Sequence, residues 1–125
     1  MLNALDAGDQ PVIHGDGSQS YDFIDVRDCA RANVLAMQSV STNQYYNVGT
    51  GIKTSIAELV DLLSVRHPNK MPARFERSDR PFVRNRVGAT ENAVRGINFR
   101  AAIDLDVGLS EFIQWRSNQP LGGRL

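Results

Sequence analysis

The chain has 125 residues, room for one domain with a core of its own and not for two. With 42% hydrophobic and 22% charged residues it has a globular composition and not a disordered one. Fourteen basic residues balance fourteen acidic ones, which disfavours a nucleic-acid binder driven by bulk charge, and a single cysteine, Cys29, excludes an internal disulfide and a multi-cysteine zinc site.

Met1 to Ala7 carries helical spacing and stops at Gly8. Pro11 to His14 is a short strand by composition. Gly15-Asp16-Gly17 is turn chemistry, because glycine reaches positive φ at no steric cost. Gln19 to Ile24 reads as a second strand. Asp25 or its neighbour caps a helix reaching about Gln38, with Val26, Cys29, Ala30, Val34 and Met37 as its predicted buried stripe. Tyr45 to Val48 is a third strand candidate, followed by Gly49-Thr50-Gly51. Ser55 and Glu58 form a capping box, and Ile56, Leu59, Val60 and Leu63 continue at helical spacing to about Arg66. Ala73 to Glu76 reads as a strand, and residues 77 to 88 as a loop. A short helix from Thr90 is predicted to end at Gly96, and the last helix to span Gly108 to Trp115, with Leu109, Phe112 and Ile113 on its apolar side. The tail from Asn118 is predicted to fray.

Charge is balanced globally but not locally. Residues 1 to 65 hold eight acidic and three basic side chains, whereas residues 66 to 86 hold Lys70 and six arginines against Glu76 and Asp79. Guanidinium matches phosphate oxygens bidentately, so the cluster suggests an anion site; a solvated loop paired to the acidic half is the plain alternative. No apolar run approaches a membrane span and no signal peptide opens the chain, so a soluble cytoplasmic protein is expected.

The remaining motifs are weak. Gly49-Thr50-Gly51 sits between a strand and a capped helix, as a dinucleotide loop would, but lacks the third glycine and the distant acidic residue. Asp22, Asp25 and Asp28 recur every third residue without calcium-loop spacing, so the structural reading is preferred to a metal site, Asp25 capping the helix and Asp28 favouring its N-terminal dipole. His14 and His67 are too few for zinc, and Cys29 reads as a small core residue. None of Tyr21, Tyr45 and Tyr46 has a lysine four residues later.

Three segments together resemble one family: Pro11-Val-Ile-His-Gly-Asp-Gly-Ser-Gln-Ser-Tyr-Asp-Phe-Ile-Asp-Val-Arg-Asp-Cys-Ala-Arg-Ala32, Tyr46-Asn-Val-Gly-Thr-Gly-Ile-Lys-Thr-Ser-Ile56, and Gly96-Ile-Asn-Phe99 leading into Leu109-x-x-Phe-Ile-x-Trp115. They look like the C-terminal part of the extended short-chain dehydrogenases, the NAD-dependent epimerase/dehydratases, nearest in type to the UDP-glucose 4-epimerases. The resemblance implies an α/β fold. Residues 1 to 125 would be a single small mixed α/β substrate-binding domain or fragment, without the N-terminal Rossmann domain. The family's glycine-rich NAD loop and Tyr-x-x-x-Lys pair belong to that absent half. No catalytic, cofactor-binding or metal-binding residue is therefore expected here, and the chain is expected to be inactive alone; NAD would serve only the complete enzyme.

The substrate implied is a nucleotide sugar, a UDP-hexose. By the resemblance Val12 and His14 line the base pocket, His14 stacking on uracil, and Phe23 and Ile56 lie beside the nucleotide. Tyr21 stands where many members place a diphosphate arginine. Arg80, in Arg80-Pro81-Phe82-Val83, is the first candidate for the later phosphate arginine and Arg86 the second. Two other functions fit the same residues: a non-catalytic module acting by association, and a portion of a nucleotide-sugar dehydratase or reductase. A Rossmann-domain partner or self-association is expected to cover the apolar face left bare; neither nucleic acid nor membrane is.

Overall fold

The computed structural model describes residues 1–79 and 84–119. It is a mixed α/β structure with five helices and five very short strands among those residues. Two compact units share the chain: Met1–Gln19 with Ser55–Arg84 and the segment from Asp106 onward, and Ser20–Thr54 with Asn85–Leu105.

The first unit contains α1 (Leu2–Ala7), β1 (Val12–His14), α3 (Ile56–Arg66), β4 (Arg74–Glu76) and α5 (Leu105–Ser117, whose first residue belongs to the other unit). Gly8 closes α1 in the left-handed region at φ 78°, where its amide reaches the carbonyls of Ala4 and Leu5. β1 and β4 pair in parallel, Val12 opposite Arg74 and His14 opposite Glu76. Leu5, Ile13, Val60 and Leu63 are buried. The capping box at the head of α3 is fully formed: Ser55 Oγ accepts from the Glu58 amide (3.1 Å) and Glu58 Oε2 accepts from the Ser55 amide (2.7 Å). The Ile56 and Ala57 amides donate to the carbonyls of Gln19 and Gly17, so the first helical amides are all satisfied.

Asp6 ties the helices of this unit together. Its carboxylate accepts from Arg116 Nε (2.8 Å) and from His67 Nε2 (3.1 Å). The Asn69 amide donates to His67 Nδ1 at 3.3 Å, which places the imidazole proton on Nε2. His67 and Arg116 are both buried, consistent with polar groups inside a fold being paired.

The second unit contains β2 (Ser20–Tyr21), α2 (Val26–Gln38), β5 (Asn85–Arg86) and α4 (Glu91–Ile97); β3 (Thr54–Ser55) falls at its edge. β2 and β5 are parallel, Ser20 opposite Asn85 and Tyr21 opposite Arg86. Ala32, Ala93, Ile97 and Phe99 form the core, with Ile24, Leu35, Tyr46 and Ala101 packed against it. Asp25 caps α2 as expected, accepting from the Arg27 amide at 2.9 Å.

Several expectations are corrected here. The stripe predicted to be buried on α2 is largely exposed: Val26 is 77% exposed, Val34 50% and Met37 86%. The face of α2 turned inward instead carries Asp28, Ala32 and Leu35. The predicted strand at Gln19–Ile24 is reduced to Ser20–Tyr21. Tyr45–Val48 forms no strand. Tyr46 packs on Gly96, where an added Cβ would come within 2.5 Å of the ring, and Asn47 Nδ2 donates to the Ala89 carbonyl. Gly96 is thus inside α4 for close approach and not as its cap; Asn98 closes that helix at φ 52°. The last helix is longer than predicted, and Phe112 on its expected apolar side is exposed, as is Trp115. Residues 120–125 of the predicted frayed tail lie outside the described residues.

Asp28 is 1% exposed and binds three groups. Oδ2 accepts from the Ala102 and Ile103 amides (2.8 and 3.0 Å), and Oδ1 accepts from Arg31 (2.7 Å). Burial pushes its pKa up, but the hydrogen bonds from Arg31, Ile103 and Ala102 and the charge of Arg31 outweigh it, so the net shift is below 3.8. A carboxyl lowered on folding stabilises the fold above its unfolded pKa, and that contribution is lost as pH falls through the folded value. The Asp28→Ala variant is expected to lose on the order of 3 kcal/mol in urea unfolding at pH 7. The difference from wild type should shrink on acidification below pH 3.8; a difference that stays constant with pH would contradict this role.

Candidate functional site

The structure brings together three of the seven residues singled out by the sequence. Tyr21 on β2 lies opposite Arg86 on β5. The Tyr21 and Phe23 rings are 6.0 Å apart and tilted by 56°. Both aromatics are half-buried, whereas Arg86 is exposed. Among the described residues no carboxylate pairs with the Arg86 guanidinium. The second unit therefore presents an aromatic pair, a phenol hydroxyl and an uncompensated cation side by side. These groups suit a planar base or a phosphate.

Three more lie in the first unit. Val12 is half-buried on β1. His14 ends that strand, with its exposed ring 3.7 Å from Glu76 Oε2. Ile56 is the first residue of α3 and half-buried. Arg80 lies outside the described residues.

The arginine cluster separates into kinds. Arg66 pairs with Asp106, Arg74 with Glu76 (2.8 Å) and Arg77 with Asp79 (3.2 Å). These three are solvated or half-buried ion pairs, but their partners lie within the cluster or at Asp106 and not in the acidic half of residues 1 to 65. Arg86 is not among them.

The residue that sequence reasoning missed is Asp22, between the two aromatics. Its amide donates to the Arg86 carbonyl (3.0 Å), extending the β2–β5 pairing by one residue. Its carboxylate clamps the glycine loop: Oδ1 accepts from the Thr50 amide (2.8 Å) and hydroxyl (2.6 Å), and Oδ2 from the Gly51 amide (2.9 Å). Gly51 needs its positive φ of 74° for this turn. No local pattern announces a bond across 28 residues; the only trace is an acidic residue inside a strand-like run.

The same clamp decides the dinucleotide question for this loop. The amides that would cradle a pyrophosphate are already donating to a carboxylate, so the residues of Gly49–Gly51 do not fit NAD. Nor do Asp22, Asp25 and Asp28 act as a metal set. Asp25 caps α2, Asp28 holds the 102–103 amides, and no group of three or more His, Cys, Asp or Glu among the described residues could hold a metal ion. Cys29 is half-buried.

Residues 1–49 match the model of the NAD dependent epimerase/dehydratase family. The chain is related to that family. UDP-glucose 4-epimerase 2 of Arabidopsis thaliana is 29% identical over 114 residues, 86% of this chain and 32% of that protein. Among solved structures, a UDP-N-acetylglucosamine 4-epimerase from Methanobrevibacter ruminantium in complex with UDP-N-acetylmuramic acid superposes with a TM-score of 0.85 at 28% identity, covering 95% of this chain and 38% of that one. UDP-glucose 4-epimerase from Thermotoga maritima with UDP-glucose superposes at 0.82 and 26% identity, covering 90% and 36%. The chain spans about a third of the length of the relatives it matches.

A side chain at Gly49 has no room beside the clamp, since an added Cβ would lie 2.4 Å from Asp22 Oδ2. Gly49→Ala is expected to lower stability by about 2 kcal/mol through forced displacement of that carboxylate. A urea midpoint equal to the parent's would show that the clamp is not held tightly.

Proposed function

We propose that this chain is the substrate-binding, C-terminal part of an NAD-dependent nucleotide-sugar epimerase of the UDP-glucose 4-epimerase type, and that it holds the UDP moiety. The observation that carries the reading is the Tyr21–Phe23–Arg86 group in a chain related to epimerases. The 125 residues contain neither a Tyr-x-x-x-Lys pair nor a complete glycine-rich dinucleotide motif. That composition supports assigning binding to this chain and the redox chemistry to another part of a complete enzyme, where NAD would serve.

The chemistry of the individual residues follows from their types. Arg86 supplies a permanent positive charge with donors in a fork that matches a diphosphate. The Tyr21 hydroxyl adds one neutral donor. Phe23, in the same unit, contributes apolar surface to the nucleotide. Arg80 remains the other phosphate candidate. Holding the remote UDP end contributes binding energy that positions the reacting sugar without touching it.

Calorimetric titration of UDP into the 125-residue chain tests the reading. Arg86→Ala is expected to weaken binding at least tenfold, the effect of losing a charge-assisted hydrogen bond of about 1.5–3 kcal/mol. Arg80→Ala is expected to act similarly, and Tyr21→Phe less. Arg66→Ala should bind like the parent, because that guanidinium is engaged with Asp106. Absence of UDP binding by the parent would overturn the proposal. So would variants at Arg80 and Arg86 that bind as the parent does.

A further inference from the structure

Tyr21 and Phe23 stand on a segment that is held from its other side. Side chains alternate along an extended chain, so the Asp22 carboxylate leaves the backbone opposite the two rings, which meet each other at 6.0 Å. There it takes three donors from a loop 28 and 29 residues away: the Thr50 amide and hydroxyl on Oδ1 and the Gly51 amide on Oδ2. Thr50 Oγ1 in turn accepts from the Ile52 amide at 3.0 Å, so one hydroxyl links the carboxylate to the next step of the loop. The Asp22 amide meanwhile donates to the Arg86 carbonyl (3.0 Å). None of Asp22, Thr50 and Gly51 belongs to the core of Ala32, Ala93, Ile97 and Phe99. What they fix is the β2–β5 pair and not the hydrophobic packing of the unit.

We infer that Asp22 and Thr50 are positioning residues for the ligand of Tyr21 and Arg86. The clamp sets how the phenol and the guanidinium stand relative to each other, and so the affinity, without touching the ligand. This rests on the functional reading above. The sign of the effect separates position from charge. Asp22 is an anion adjacent in sequence to Tyr21 and bonded to the Arg86 backbone, so its neutralisation would by Coulomb attraction alone tighten the binding of a diphosphate. Loss of the clamp works the other way. Asparagine keeps the shape and one acceptor, but its NH2 group faces the Gly51 amide, a donor against a donor. Control by position therefore predicts weaker binding where control by charge predicts stronger. Coupling between two sites is reciprocal, so a bound ligand must also tighten the clamp.

Calorimetric titration of UDP into the 125-residue chain carries the test, with Asp22→Asn, Thr50→Val and Thr50→Ser, and with Asp22→Asn repeated in Arg86→Ala. Asp22→Asn is expected to raise the Kd roughly fivefold and Thr50→Val about threefold, the range for residues that modulate a site without contact. Thr50→Ser restores the hydroxyl and should bind like the parent. In the Arg86→Ala background the Asp22→Asn step should change the Kd less than about twofold, because the group it positions is gone. UDP should slow amide exchange at Thr50 and Gly51 in the parent. Unchanged or tighter binding by Asp22→Asn overturns the inference. So do a serine variant no better than the valine one, an Asp22→Asn effect undiminished by Arg86→Ala, or amides indifferent to UDP. In each of these cases a parent that binds UDP and loses affinity on Arg86→Ala leaves the functional reading standing. A parent that binds no UDP overturns that reading and this inference with it.

Discussion

Asp22 joins three pieces of backbone that the short strands could not hold by themselves. Its amide extends a two-residue parallel pairing to Arg86, and its carboxylate gathers the Thr50 and Gly51 amides. Because Tyr21 and Phe23 are its immediate neighbours, the same anchor sets where both rings stand. Gly49 has no side chain because Asp22 Oδ2 occupies the space a Cβ would need. The candidate site is therefore supported from beneath by a residue that is not itself placed to meet a ligand.

The device recurs in both units. Strands of two or three residues contribute few ladder bonds, so long-range closure passes to carboxylates that each collect several donors. Asp28 reaches amides 74 and 75 residues away, and Asp6 meets His67 and Arg116 at separations of 61 and 110. Each of these carboxylates replaces solvation with two or more hydrogen bonds, the condition under which burying charge is tolerated.

Local signals were the legible ones. The Ser55–Glu58 box, the Asp25 cap and the Gly8 terminus each depend on residues within one turn, and each stands where the pattern put it. The inward face of α2 was illegible for a definite reason. A periodicity argument assumes one apolar side, and this helix has two, the more hydrophobic of which is exposed. Gly96 misled similarly, since a glycine near a helix end suggests a cap, whereas here it makes room for Tyr46. Of the site, residue types could nominate Tyr21, Phe23 and Arg86 only through resemblance, because the register that sets Tyr21 opposite Arg86 is a long-range property. The arginine run illustrates the limit of composition: three members form ion pairs, and identical chemistry in sequence separates into different roles in space.

The claim that one carboxylate organises this edge is tested most directly by amide hydrogen exchange at Thr50, Gly51 and Asp22 in the wild-type chain and in Asp22→Ala. All three amides are expected to be protected in wild type, despite the first two lying in a loop. In the variant, Thr50 and Gly51 should exchange at least ten times faster, about the loss of one charge-assisted hydrogen bond, and the Asp22-position amide paired with Arg86 should accelerate with them. Thr50 and Gly51 amides that exchange at unprotected rates in wild type, or rates that the substitution leaves unchanged, would contradict the account.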